Sequence, residues 1–342
     1  MTFTDWAVVS YKDDTGLGRA AADMRSVLQI GSQLVVPSAR LSGHPLYGPK
    51  EVSFRSDFSD ADVLAALSGL KGIIVLERPF HPRLLQLAKQ AGLKTVCVPM
   101  WEWFSGTQAE WNFCDLFVCP SEFSEKVVRS YGWTNTIRIP FSLDVTRFPG
   151  RCISGPARTF IHNAGLVDAD DRKGTRDCIH AFRKVLRKDV RLIVRLQKES
   201  ELPEIDSRIK VLVDHIANPA DLYAEGDVAI QPSKLEGIGF MVLEPLCTGL
   251  PVITLDYPPM NEYVRDKAFL VRKRWFKRRA FASQWNRQAH LRLPDLNDLA
   301  RKIEWCATMD MTKASAANRE YALTTFNEGR LKQLWAEAIA SI

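Results

Sequence analysis

The chain has 342 residues, 46% of them hydrophobic and 25% charged, with a formal net charge of +6. That length predicts about two domains, each with a core of its own. No run of about 18 apolar residues occurs, which argues against a spanning helix, and the first residues (Met1 to Trp6) lack the basic start and apolar stretch of a signal peptide. The seven cysteines, at 97, 114, 119, 152, 178, 247 and 306, are scattered and odd in number. Most lie in apolar runs, so they read as buried free thiols of a cytoplasmic protein rather than as disulfides or a zinc site.

In chain order, short β-branched runs alternate with helical patterns, as in parallel sheets with crossover helices. Trp6–Ser10 predicts a first strand and Ala20–Leu28 its helix; Gly72–Leu76 and Lys94–Val98 predict strands around a helix over His81–Ala91. Asp115–Cys119 is the next strand, Glu122–Tyr131 a helix, and Thr136–Ile139 closes the half. Glycines and prolines from Pro149 to Ala157 mark a linker. The second half predicts strands at Thr159–His162, Arg191–Arg195, Lys210–Val213, Val228–Gln231 and Val252–Leu255, with a helix near Arg176–Leu186. Doubly wound sheets bind ligands at the carboxyl ends of their strands.

The segment Gln231-Pro232-Ser233-Lys234-Leu235-Glu236-Gly237-Ile238-Gly239-Phe240-Met241-Val242-Leu243-Glu244 sits at such an end. It sets two carboxylates, Glu236 and Glu244, eight positions apart around a glycine turn between a strand and a helix that Gly249 and Pro251 stop. The glycines allow close approach of a ligand, and the helix start offers N–H groups and partial positive charge suited to a diphosphate. A strand, a glycine turn and a helix are common in α/β proteins, so this part alone does not decide between a ligand site and an ordinary turn.

The complete string resembles the signature of family-4 retaining glycosyltransferases: Pro-Ser, then Glu-Gly-x-Gly, four residues, Glu, and a helix ending Gly-x-Pro-Val-Ile. The similarity continues over Asp115 to Phe148, through Gly165, Arg172-Lys173-Gly174 and Ala181-Phe182, and at Leu222-Tyr223 with Ala224 to Asp227. It implies an α/β protein of the GT-B fold, two Rossmann-like domains facing each other across a cleft. Residues 1–150 would form an acceptor-side domain and residues 151–320 the domain that binds the nucleotide-sugar donor. A tail helix over 321–342 would cross back to the first.

The resemblance further implies roles. Lys173 with Arg172 would neutralise the donor diphosphate as the sugar departs, and Glu236 would hold sugar hydroxyls near the reacting carbon. Glu244 would accept from the ribose hydroxyls. The amides of Gly237, Ile238, Gly239 and Phe240, together with Gly165, would meet sugar and phosphate. Gly16 and Gly18 would approach donor phosphate from the first domain. Relatives transfer sugars with retention and without a metal or cofactor, by orientation and charge stabilisation; a covalent carboxylate intermediate is the alternative.

Two departures accompany the match. Gly165 is followed by Leu166 where many relatives have arginine, leaving Arg172 or Arg195 to replace it. The first domain carries Trp101-Glu102-Trp103 where many have a histidine. Glu102 is then the polar group nearest the sugar or acceptor, and Trp101 and Trp103 read either as core or as a stacking platform. His162 reads equally as a cleft contact or as a satisfied core residue.

The acceptor is addressed by one segment. Residues 272–287, within an insertion near 272–292, hold seven cations and four aromatics in sixteen positions, among them Arg274, Trp275, Arg278 and Arg279. That mixture suits nucleic acid, with cations for phosphates and ring faces for bases. A basic surface helix with an aromatic stripe (281 and 285 are helix neighbours) and a membrane-surface helix are the other readings. By analogy with phage enzymes that glycosylate hydroxylated pyrimidines, the leading acceptor is a hydroxylated or hydroxymethylated base in DNA, flipped from its stack. A lipid-linked or polysaccharide acceptor, or a non-catalytic nucleotide-sugar or nucleic-acid scaffold, are the alternatives.

Overall fold

Short runs of Val, Ile and Leu flanked by turn residues form strands here because such side chains pack well on a pleated sheet buried on both faces. The structure, a computed structural model, describes residues 2–13, 15–37, 50–214, 216 and 218–342. They fall into two units, Met1–Asp144 with Phe326–Ile342, and Val145–Thr325.

In the first unit the elements run β1 (Trp6–Tyr11), α1 (Gly16–Leu28), β2 (Ser32–Val36), β3 (Glu51–Ser53), α2 (Asp60–Leu67), β4 (Gly72–Leu76), α3 (Leu84–Gln90), β5 (Lys94–Val98), β6 (Leu116–Cys119), α4 (Glu122–Ser130) and β7 (Thr136–Arg138). The strands make one parallel sheet ordered β3-β2-β1-β4-β5-β6-β7. Its core includes Val9, Ile73, Val75, Leu84, Phe104, Trp111 and Phe117, all but fully buried; each such side chain contributes roughly 1.5–3 kcal/mol relative to exposure. Helix α4 starts on a capping box, with Ser121 accepting from the Ser124 amide and the Ser124 hydroxyl from the Ser121 amide.

The second unit runs β8 (Thr159–Gly165), α5 (Thr175–Arg183), β9 (Arg191–Leu196), β10 (Ile209–Val213), β11 (Val228–Gln231), α6 (Phe240–Thr248), β12 (Val252–Leu255), α7 (Met260–Tyr263), β13 (Leu270–Val271), β14 (Lys273–Arg279), β15 (His290–Pro294), α8 (Leu296–Cys306) and α9 (Thr312–Thr325). Its parallel sheet is ordered β10-β9-β8-β11-β12-β13. Chain direction across the sheet reverses between β8 and β11, and the crevice beyond their carboxyl ends is where doubly wound sheets take ligands. Gly165 ends β8 and the loop from Pro232 leaves β11, so the glutamate-glycine motif lies at this switch point.

The last helix, α10 (Glu328–Ala340), belongs to the first unit and packs on α1. The tail is two helices rather than one, because Phe326 and Asn327 break it and Asn327 caps the second by accepting from the Arg330 amide. The basic segment departs from the helical readings: β14 and β15 form an antiparallel hairpin with an irregular register between Lys273 and Lys277. No helix among the described residues is long and apolar enough to cross a membrane.

Candidate active site

Residues Gln231 to Gly239 are all buried. Gly239 turns the chain into α6 with φ 85° and, as the N-cap residue, brings no side chain to that helix start. Its first N–H groups therefore lie at the switch point.

Glu236 is 4% exposed, and its Oε1 lies 2.7 Å from Lys173 Nζ. Burial pushes the Glu236 carboxyl upward, but the charges of Lys173 and Arg172 outweigh it and hold the group below its ordinary 4.5. The Glu236 carboxyl is thus ionised at neutral pH.

The Arg172-Lys173 turn is held against the motif from several sides. Lys234, buried, pairs with Asp171 at 2.9 Å and Asp177 at 2.8 Å. Its amide donates to the Arg172 carbonyl at 2.8 Å. Asp171 in turn accepts from the amides of Thr175 and Arg176 and so caps α5. Gly174 takes φ 73°, and a Cβ there would fall 2.5 Å from the Pro232 carbonyl oxygen, so only glycine lets the two loops meet. His162 ties the strands beneath: Nδ1 lies 2.7 Å from the Ile230 carbonyl and Nε2 3.0 Å from the Thr175 hydroxyl. Burial lowers its pKa to about 4. It is a satisfied core histidine and not a ligand contact.

Glu244 points back within α6 and is 3% exposed; Oε2 accepts from the Tyr223 hydroxyl at 2.6 Å. Gly165 closes β8 at φ 62°, beside a register irregularity. Arg195 does not replace the missing arginine. It is committed to Asp214 at 2.8 Å and to Glu225, whereas Arg172 bears on Glu236. The structure therefore joins Arg172, Lys173, Glu236, the Gly237–Phe240 turn and Glu244 in one unit. Lys234, Asp171 and Tyr223, which shape that site, carried no sequence signal of their own beyond lying in or beside the motifs.

Gly16, Gly18, Trp101, Glu102 and Trp103 belong to the first unit. Gly16 begins α1, but Gly18 is glycine for an internal reason: a Cβ there would fall 2.1 Å from the Asp13 carbonyl oxygen. Asp13 accepts from the Thr15 amide and hydroxyl. Trp101 is fully buried and meets Phe123 edge-on at 4.8 Å, so it offers no face for stacking; the core reading holds for it. Glu102 is 4% exposed and Trp103 half-buried.

The basic hairpin is exposed along β14. Trp275 is 92% exposed, and Arg274 lies over the Phe276 ring at 4.3 Å. Arg278 and Arg279 are exposed beside it. The segment is anchored on the site just described: the Arg292 amide donates to the Lys234 carbonyl at 3.0 Å and the Phe281 amide to Asp170 at 2.8 Å.

Residues 158–287 match the family model of Glycosyl transferases group 1. HepE from Anabaena, solved in complex with UDP, is similar in structure with a TM-score of 0.71 and 14% identity, covering 98% of this chain and 99% of that one. The fold is that of the GT-B glycosyltransferases. Sucrose-phosphate synthase from Thermosynechococcus elongatus is similar at TM-score 0.65 and 13% identity, over 98% and 99% of the two chains. The lipopolysaccharide outer core galactosyltransferase WaaB is similar at 0.63 and 12%, with the same coverage. No curated protein matches the sequence. The group 1 match spans most of the second GT-B domain, including Arg172, Lys173, Glu236 and Glu244.

Proposed function

We propose that this chain transfers a sugar from a nucleotide-diphosphate sugar to an acceptor hydroxyl, with retention at the reacting carbon, and that the acceptor is a hydroxylated or hydroxymethylated pyrimidine in DNA. The observation that carries the donor half is the Lys173–Glu236 pair, its carboxylate buried, beside the start of α6 at the switch point of the sheet. HepE, with the same fold, is seen with UDP and with UDP-glucose.

The chemistry follows from charge. An incoming diphosphate draws Lys173 from Glu236, and Arg172 and the α6 amides complete its neutralisation. Glu236, released, accepts hydrogen bonds from sugar hydroxyls, while Glu244, steadied by Tyr223, accepts from the ribose. The bond between sugar carbon and phosphate oxygen then breaks as the acceptor oxygen bonds on the same face, and the acceptor proton passes to the departing phosphate. Lys173 and Arg172 supply the positive charge that stabilises the leaving group.

The acceptor half is supported by the exposed hairpin. Its cations and the Trp275 face suit a polyanion with bases, and its two backbone anchors connect it to the donor loops. A second reading, a saccharide acceptor, is favoured by the sugar-modifying proteins that share the fold.

Transfer from a panel of nucleotide sugars onto hydroxymethylated DNA, read by nucleoside mass spectrometry, tests both halves. A sugar-sized mass gain on one pyrimidine is expected. Donor hydrolysis without that gain would overturn the DNA acceptor in favour of a saccharide or lipid. Neither hydrolysis nor transfer, with a nucleotide still bound, would favour a sensor or scaffold, whereas an enzyme should lose turnover in Glu236→Ala with its fold intact.

A further inference from the structure

Tyr263 ends α7 and takes no part in the chemistry above. It is 7% exposed, and its hydroxyl has no hydrogen-bond partner among the described residues. Buried hydroxyls are nearly always paired, so a stranded one calls for an explanation. Phenylalanine would fill the same volume without stranding an oxygen.

The position of the ring supplies that explanation. A Cβ built on Gly239 would lie 3.7 Å from Tyr263 Cε2 and 3.8 Å from both the Glu236 Cβ and the Met260 Cγ. The hydroxyl-bearing edge of Tyr263, the Glu236 side chain and the turn into α6 therefore surround one small space. Burial, then the neighbouring Glu262, Tyr321 and Glu236, raises the phenol well above its ordinary value. It stays protonated at neutral pH and remains a donor. A donor beside the turn into the positive end of a helix lacks only an anionic acceptor.

We propose that Tyr263 is a donor-binding residue whose hydroxyl donates a hydrogen bond to the diphosphate of the nucleotide sugar at the start of α6. The inference rests on the donor reading above, and it adds a contact contributed by the segment after β12, outside both the glutamate-glycine motif and the Arg172-Lys173 turn.

The test is Tyr263→Phe, compared with wild type by calorimetric titration of UDP, ADP and GDP, with the matching free nucleoside as control, and by thermal unfolding without ligand. Removal of an oxygen that has no partner should leave the melting temperature unchanged or raised. Affinity for the preferred diphosphate should fall about 10-fold or more, the usual worth of a hydrogen bond to a charged group, with nucleoside affinity unchanged. Equal diphosphate affinity in the two proteins would overturn the inference and leave the donor reading standing. So would a lower melting temperature, or an equal loss of nucleoside binding, either of which assigns the hydroxyl another task. Wild type that binds none of the diphosphates overturns the donor reading and the inference with it.

Discussion

His162 makes the stability of the second unit depend on pH in a defined window. Its Nδ1 faces a carbonyl, which can only accept, so the neutral ring carries its proton there and Nε2 accepts from Thr175. Burial lowers the pKa from 6.5 to about 4. As pH falls below 6.5 the unfolded imidazole takes a proton that the folded one refuses until about pH 4, so the unfolded state binds more protons and stability drops through that window. That difference is worth about 3 kcal/mol in full, most of it lost by pH 4.5. The perturbation is His162→Gln, which keeps polar atoms but cannot titrate. Urea unfolding of both proteins at pH 7.5 and 4.5 cancels the carboxylates they share, and wild type should lose roughly 2–3 kcal/mol more than the variant. Parallel losses, or an imidazole that titrates near 6.5 by NMR, would refute the reasoning.

Other expectations follow from the same geometry. Gly174→Ala meets the left-handed backbone cost of about 1–2 kcal/mol and, in addition, the Pro232 oxygen; its melting temperature should fall and its KM for donor rise as the two loops part. Lys173→Met should lower kcat by roughly 10²-fold and move the Glu236 carboxyl upward, since its largest opposing charge is gone; carbon NMR of the labelled carboxyl reads the shift. In wild type the depressed Glu236 stays ionised as pH falls through 4.5, so donor affinity should hold from pH 8 to 5, and loss of binding near pH 6 would contradict the assignment. Arg274→Glu, Arg278→Glu and Arg279→Glu together should abolish transfer to DNA and flatten the salt dependence of DNA binding while donor hydrolysis survives; equal loss of both activities would remove the hairpin from the acceptor site.

Much of the architecture could be read from the chain because buried parallel strands write themselves as apolar runs. Most strands of both sheets were visible in this way, and the motif from Gln231 to Glu244 announced its own strand, turn and helix. β2 and β3 were not, since Ser32–Val36 follows a helix almost directly and Glu51–Ser53 is a short, half-exposed edge. The basic segment misled for a related reason. Nearly every residue of β14 is exposed, so no burial period marks it as a strand, and its partner lies beyond a further turn. Phe281 and Trp285 do meet, at 5.1 Å, but across a single tight turn.

The α/β class, the two series of strands and helices, and the glutamates, glycines and cations around one strand end were legible in the chain, because these depend on local pattern. Tertiary structure decided what each of them touches. It buried Trp101 against Phe123, gave Gly18 to its own loop, committed Arg195 to Asp214 and Glu225, and brought Lys234 to Asp171 and Asp177 from more than fifty positions away. It also set the Tyr263 ring beside the Gly239 turn and left its hydroxyl without a partner among the described residues. Contacts of that range depend on how strands are ordered in a sheet, and strand order is set by packing summed over the whole unit rather than by any one segment.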